Sequence, residues 1–315
     1  MTPEKKSRLK LFAKIAVTVV FLTVTLCLVK LDVLGDRLRH ADIGPLAVAA
    51  FIFALSGFAG AASWFCVLRT RLPEISYRET AACHWSGMFF NSFLPTNVGG
   101  DVVKGYMMAH GHGQVGFVVT SLLLDRTLNL GILVAIGLFA LLLRLGQLGW
   151  AIVFLVSLGL LFLIASVCAK RLVKWIHRWP RSGIRGRLAA LLEPVFELMS
   201  LPRRFAPMLA AAGVSQFLKT WQNVFLIQAL NLDIPTLCVW YVIPLFGVVS
   251  ALPISIGGLG VREVVAHHLA APLGMDNTHL VAFSLASQFI VTVVDMLGVL
   301  PFLFANRHSN GKKNA

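Results

Sequence analysis

The chain has 315 residues, of which 57% are hydrophobic and only 13% are charged. A surface this apolar cannot be solvated by water, so the composition excludes a soluble globular domain and indicates an integral membrane protein. The formal net charge of +14 comes with no nucleic-acid recognition motif, and basic residues collect in the cytoplasmic loops of membrane proteins. We therefore expect no nucleic-acid partner.

Six apolar stretches are long enough to cross a bilayer as helices, which takes about 20 residues. The first follows a basic N-terminus, and we interpret it as a retained span, because it is too long for a signal peptide and no small-residue cleavage site follows. The predicted spans are 11–29, 43–68, 115–143, 148–168, 207–230 and 279–304.

The distribution of Lys and Arg predicts how these spans are oriented. The loop at 169–206 holds nine basic residues against Glu193 and Glu197, so it is expected on the cytoplasmic side. Its part at 184–201 is predicted to form a helix on the membrane surface, with its basic face toward anionic lipid. With six spans, the N-terminus and the basic tail at 307–315 are also cytoplasmic, which is typical of a bacterial-type inner-membrane protein.

One motif occurs twice, 158 residues apart. Residues 92–104 read "SFLPTNVGGDVVK" and residues 250–262 read "SALPISIGGLGVR". Each lies in an apolar stretch broken by Pro and Gly, and the arms of the first, about 11 residues each, are too short to cross a bilayer. We therefore predict re-entrant hairpins within 84–110 and 237–273.

These features predict one all-α, polytopic domain over 1–306, with six full spans plus two re-entrant helical hairpins in an inverted repeat. Repeat one covers about 43–143 and repeat two about 207–304, and the linker at 169–206 joins them. Pro/Gly interruptions at corresponding positions of two inverted halves are typical of the binding site of a transporter.

The two motifs, with "SLLLDRTLNL" at 121–130, resemble hallmark segments of the lysylphosphatidylglycerol synthase transmembrane-region family. The resemblance extends from about residue 10 to 305. It implies a flippase-like membrane protein that moves a lipid between leaflets. The synthase domain of the best-known members would follow the spans, and since the sequence ends at Ala315 we expect neither that domain nor aminoacyl transfer.

The candidate substrate-binding residues are the polar residues and glycines of the two motifs, because ionisable groups at membrane depth are costly and glycines expose backbone amides to anions. A phosphate headgroup could meet those amides together with Lys104 or Arg262. In the alternative reading, Lys104 pairs with Asp101 one turn away, and the glycines only permit tight packing. The candidates are Asn91, Asn97, Gly99, Gly100, Asp101, Lys104, Ser255, Gly257, Gly258, Gly260, Arg262 and Glu263.

Further polar residues within spans are candidates for gating or coupling. We expect Arg262 to pair with Asp125 and Glu263 to pair with Arg126, because neighbours in sequence point about 100° apart on a helix. Lys219 either lines a cavity or extends its ammonium to the inner interface. The gating or coupling candidates are Asp125, Arg126, Gln216, Lys219 and Asp295, and the expected hinges are Pro95 and Pro253.

No catalytic or nucleotide-binding motif and no metal-ligand spacing is found, so we expect a non-enzymatic protein without a cofactor or metal. The favoured function is translocation of a phosphate-bearing lipid across the cytoplasmic membrane. Two alternatives stay open. One is an accessory subunit that presents lipid to a separate synthase, and the other is a membrane-embedded transferase that uses Asp101, Asp125 or Glu263.

Overall fold

The computed structural model describes residues 40–93, 99–178, 183–251 and 277–309, together with Arg262, Val265 and His268. Throughout these ranges the regular structure is helical, and the structure there contains no strand. A 3₁₀ turn at Met296–Gly298 joins the last two helices. The helices are α1 (Ile43–Leu68), α2 (Tyr77–Phe93), α3 (Gly99–His112), α4 (Val115–Arg144), α5 (Leu148–Ile176), α6 (Gly183–Ser200), α7 (Pro202–Ala229), α8 (Thr236–Ala251), α9 (Asn277–Asp295) and α10 (Val299–Ser309).

Four helical stretches in the described ranges are long and apolar enough to cross a membrane. They are α1, α4, α5 and the stretch Ala282–Phe304, which runs through the 3₁₀ turn. The predicted first span lies outside the described residues. The predicted span at 207–230 is a helix of 28 residues, α7, but it is not among the four. Its polar side chains, which include Gln216 and Gln222, are buried between helices.

The helices α1 and α7 pack antiparallel along their length. The Asp42 side chain caps α1 by accepting a hydrogen bond from the Gly44 amide (3.0 Å), and the Asp42 amide donates to the Ala229 carbonyl at the end of α7 (2.8 Å). Near the middle of both helices, the Ser215 hydroxyl donates to the Ser56 carbonyl (2.9 Å). This pair forms the centre of the molecule.

The first predicted hairpin is present as α2 and α3, which lie on either side of residues 94–98, outside the described residues. Its arms have 17 and 14 residues, longer than expected, because the Ser76 hydroxyl accepts from the Glu79 amide and starts α2 early (3.2 Å). A pair between Glu79 and His112 (2.9 Å) joins the two outer ends. Both arms therefore begin and end on the same side.

The remaining contacts link the two halves of the chain reciprocally. The helix α8, first arm of the predicted second hairpin, packs against α4, where a Cβ on Gly137 would lie 2.8 Å from Pro244. In the same way α2, first arm of the first hairpin, packs against the last span, with Phe90 and Phe302 rings 4.7 Å apart. Of the second arm, only Arg262, Val265 and His268 are described, each in a helical conformation.

The surface helix predicted at 184–201 is found as α6, within one residue of those bounds. One face packs inward, with Leu198 in a buried cluster that also holds Val67 and Phe205. Arg71 lies 3.5 Å from Glu197 of α6 and also faces the Phe117 ring of α4. The end of α1 and the starts of α4 and α7 therefore meet at one end of the molecule, which we call the basic end.

Candidate functional site

Four ionisable side chains from α3 and α4 meet inside the bundle. The Lys104 ammonium lies 3.3 Å from Asp101 Oδ1 and 3.5 Å from Asp125 Oδ2. Arg126 Nη1 donates to the other oxygen of Asp101, Oδ2 (2.7 Å). We call these four residues the interior charge network. The pair of Lys104 with Asp101 one turn away, expected in the alternative reading, is thereby confirmed.

The depth of the network follows from the geometry of the α3–α4 corner. Asp101 precedes the end of α3 at His112 by eleven residues, and Arg126 follows the start of α4 at Val115 by the same number. At 1.5 Å per residue, both lie about 16 Å from that corner. This is about half the thickness of a hydrocarbon core. Asp101 and Arg126 therefore lie far from the ends of α3 and α4 that form this corner.

The inner pair of the network is enclosed by protein. Lys104 is 6% exposed and Asp125 is 5% exposed. The Lys104 ammonium lies 5.0 Å from the centre of the Trp64 ring, a cation–π contact. The Trp64 indole is held by a hydrogen bond that it donates to Ser121 (3.0 Å), and the Ser63 hydroxyl donates to Asp125 (3.5 Å). Helix α1 thus encloses the inner pair on one side.

Hydrogen bonds extend the network into the second half of the chain. Asn129, one turn beyond Asp125 on α4, donates its amide to Asp125 Oδ1 (3.0 Å). Gln216 of α7 then donates to the Asn129 side-chain oxygen (2.6 Å). A continuous row of polar side chains therefore runs from α3 through α4 to α7, and it joins the predicted repeats.

Near the tip of the first hairpin, polar groups of the two arms form a hydrogen bond with each other. The Asn91 side-chain oxygen accepts a hydrogen bond from the Gly100 amide (2.9 Å), so this amide at the start of α3 is paired with protein. Gly99 is the first residue of α3, and Asn97 and Pro95 lie outside the described residues. A Cβ on Gly100 would lie 1.9 Å from the Gly87 carbonyl oxygen. Glycine is therefore required here for helix packing.

Of the candidate residues in the second copy of the motif, the structure describes only Arg262. Arg262 is buried, donates a hydrogen bond to Gln288 of α9, and lies over the Phe246 ring (5.1 Å). The predicted pairing of Arg262 with Asp125 was wrong: Asp125 pairs with Lys104, since α3 is the neighbour of α4 at this depth. The other candidates of this copy, Ser255, Gly257, Gly258, Gly260, Glu263 and Pro253, lie outside the described residues.

The remaining gating candidates occupy the middle of the bundle. Asp295 is buried beside the 3₁₀ turn and accepts a hydrogen bond from the Ser92 hydroxyl of the first hairpin. Lys219 follows the start of α7, at the basic end, by seventeen residues, too far for its ammonium to reach that interface. Its side chain instead lies one turn beyond Gln216, along the row of polar side chains.

Several residues of this site were not predicted from the sequence. Trp64 and Ser63 lie inside an apolar span where nothing distinguishes them from core residues. Ser92, Ser121 and Asn129 lie within the quoted segments at 92–104 and 121–130, and were detectable there as polar residues in apolar surroundings. Their roles depend on contacts between helices that are far apart in the chain.

The fold and the site define a multi-pass helical membrane protein with ionisable side chains buried between its helices. The chain belongs to the family described as the lysylphosphatidylglycerol synthase TM region, whose model matches residues 11–298 of the 315. This membership indicates a role connected with membrane lipid. Comparison with curated proteins, and separately with solved structures, gave no match.

Proposed function

We propose that this protein translocates a phosphate-bearing lipid between the leaflets of a bacterial-type cytoplasmic membrane. The interior charge network is the observation that carries the proposal. Ionisable residues at this depth are costly in a bilayer, and they are typical of substrate or ion pathways. Here they form a continuous row of polar side chains from α3 through α4 to α7, which we propose as the path. A polar headgroup could cross along such a path while its acyl chains stay in the bilayer.

The inverted repeat is part of this proposal, and reciprocal packing supports it. The first helices of the two predicted repeats, α1 and α7, run antiparallel beside each other, as two inverted copies would. The first hairpin arm of each half also packs against the last span of the other half: α8 on α4, and α2 on the α9–α10 stretch. If the two halves exchanged conformations, the site between them would open alternately to the two sides of the membrane.

The orientation follows from the basic residues. Arg69, Arg71 and Arg78 follow α1 and begin α2 at the basic end, and Lys170, Arg171 and Lys174 lie in the last turns of α5. The rule that positive charge stays inside favours a cytoplasmic location for this end. We propose that both termini lie on the same side. The α2–α3 hairpin then enters from the cytoplasmic side. Translocation involves no covalent step, so the protein is proposed to be a transporter and not an enzyme.

The test is leaflet exchange of fluorescent lipids in proteoliposomes, with an added quencher that reaches only the outer leaflet. Lipids with anionic and zwitterionic headgroups are compared for the natural protein, Lys104→Ala and Arg262→Ala. Lys170→Ala, an exposed basic residue on α5, is the matched control. We expect protein-dependent exchange that favours anionic phosphate lipids, falls in both interior variants and is unchanged in the control.

Three results would overturn the proposal. Absence of exchange for every lipid, from protein shown to be folded, would favour the accessory role and a search for a synthase that co-purifies. Exchange at the rate of the natural protein in all three variants would mean that transport does not depend on the charges inside the bundle. Formation of a covalently altered lipid would instead favour the transferase.

A further inference from the structure

The two bases of the interior charge network differ in their access to the surroundings. The Lys104 side chain is 7% exposed, whereas the Arg126 side chain is 33% exposed. The Asp101 carboxylate, which contacts both bases, has an intermediate exposure. The network therefore has an enclosed inner base and an accessible outer base.

The accessible side of Arg126 belongs to an apolar outer surface of α4. Val119, Leu123, Arg126 and Leu130 follow a spacing of four, three and four residues, so they form one stripe on the helix. Val119 and Leu123 are exposed. The adjoining surface of α3 carries Val102 and Tyr106, which are also exposed. In a bilayer, these apolar side chains contact acyl chains.

An arginine on such a stripe is unusual at this depth. Charged residues within spans almost always face the interior of the bundle or a hydrated cavity, because a charge in contact with acyl chains is strongly disfavoured. Arg126 lies about 16 Å from the start of α4, so its side chain cannot easily reach the headgroup layer on that side. Besides its pair with Asp101 (2.7 Å), its exposed side can take a further polar partner that comes from the lipid side.

The pairing of Asp101 allows Arg126 to take such a partner. Breaking a buried ion pair is costly when one charge is left without compensation. Here Asp101 keeps Lys104 at 3.3 Å if Arg126 turns away. Arg126 could then bind a phosphate group with two parallel hydrogen bonds, the geometry that guanidinium favours.

Resting on the proposed function, we infer that the outer surface between α3 and α4 is a lateral entrance from the bilayer, at which Arg126 binds the phosphate of an anionic lipid headgroup. Tyr106 and Val102 on α3, with Leu123 on α4, line the entrance. The headgroup displaces Asp101 from Arg126 and then reaches the inner pair, Lys104 and Asp125. The acyl chains remain outside the bundle.

Photolabelling tests the entrance without depending on transport. The probe is a phosphatidylglycerol with a diazirine near the glycerol end of one acyl chain, reconstituted with the intact protein. Labelled positions are mapped by peptide mass spectrometry. We expect labelling at 102–106 and 119–126 that excess phosphatidylglycerol suppresses and excess phosphatidylcholine does not. Labelling of the exposed face of α5, such as Leu155 and Leu163, should respond equally to both competitors.

Two variants test the assigned residues. Arg126→Gln should lower the suppressible labelling about tenfold, the loss expected for one charge-assisted contact of about 1.4 kcal/mol, and Arg126→Lys should retain part of it. Leu123→Trp narrows the entrance without altering a charge, and should slow exchange. Leu138→Trp, an exposed position nearer the other end of α4, is its matched control.

The outcomes separate this inference from the proposed function. Headgroup-selective labelling between α3 and α4 without any leaflet exchange would keep the entrance and overturn translocation. Exchange that Leu123→Trp leaves unchanged, with labelling no more selective there than on α5, would overturn the entrance and leave translocation standing. Absence of both would overturn both.

Discussion

Lys104 on the second arm of the first hairpin lies 3.5 Å from Asp125 on the next span, and both are more than nine-tenths buried. Each charge thus compensates the other in an environment where either alone would be disfavoured. The pair also fixes how the hairpin sits against α4. This contact therefore links the second arm of the hairpin directly to a full span.

Replacing Lys104 with Met should destabilise the protein by about 3–5 kcal/mol, because Asp125 would remain as an uncompensated buried charge. Adding Asp125→Asn should recover much of this loss, since the remaining groups are neutral. The free energy of unfolding in mixed micelles, measured for both single variants and the double variant, checks the coupling. Strictly additive effects would contradict a direct interaction.

Replacing Gly100 with Ala should disrupt the first hairpin. The added Cβ would lie 1.9 Å from the Gly87 carbonyl oxygen and 2.6 Å from Asn91, so α2 and α3 must separate. Gly131→Ala in the middle of α4 is the matched control, because nothing lies within 4 Å of its added Cβ. We expect a marked fall in melting temperature for Gly100→Ala, and for the control a gain of about 0.5–1 kcal/mol from helix propensity. Equal melting temperatures would argue against this packing.

Replacing Gln216 with Leu should uncouple the two halves without unfolding them. It removes the 2.6 Å hydrogen bond from α7 to Asn129 on α4. A double-variant cycle with Asn129→Leu should give a coupling energy of about 0.5–2 kcal/mol, the range found for hydrogen bonds between helices in membranes. Exchange should fall more than this loss of stability explains. A coupling energy of zero would show that the row of polar side chains ends at Asn129.

Replacing Glu197 with Gln should have little effect on stability. Its ion pair with Arg71 is partly exposed at the basic end, 3.5 Å across, and such pairs contribute about 0–1 kcal/mol. The melting temperature of this variant should lie close to that of the natural protein at both low and high salt. A loss as large as that of Lys104→Met would mean that this pair, despite its exposure, stabilises the protein as much as the interior pair does.

The sequence by itself determined the membrane class, four of the spans in order, the first hairpin and the position of α6. These features are local. An apolar run long enough to cross a bilayer forms a helix because its backbone must be satisfied internally, and a Pro/Gly break interrupts it wherever it occurs. The Ser76 cap, which lengthens α2, was also visible in principle. It was missed because the hairpin was delimited by hydrophobicity alone.

Only the tertiary structure decided which charges meet. From the sequence alone, Asp125, Arg126, Lys104 and Arg262 were all candidates for ion pairs inside the bundle. The predicted pairing of Arg262 with Asp125 was wrong. The structure pairs Lys104 with Asp125 and Arg126 with Asp101, and places Arg262 beside Gln288. Pairing depends on which helices are neighbours, how each is rotated and how deep each residue lies. Apolar spans fit together in many such arrangements, and contacts between residues far apart in the chain select one of them.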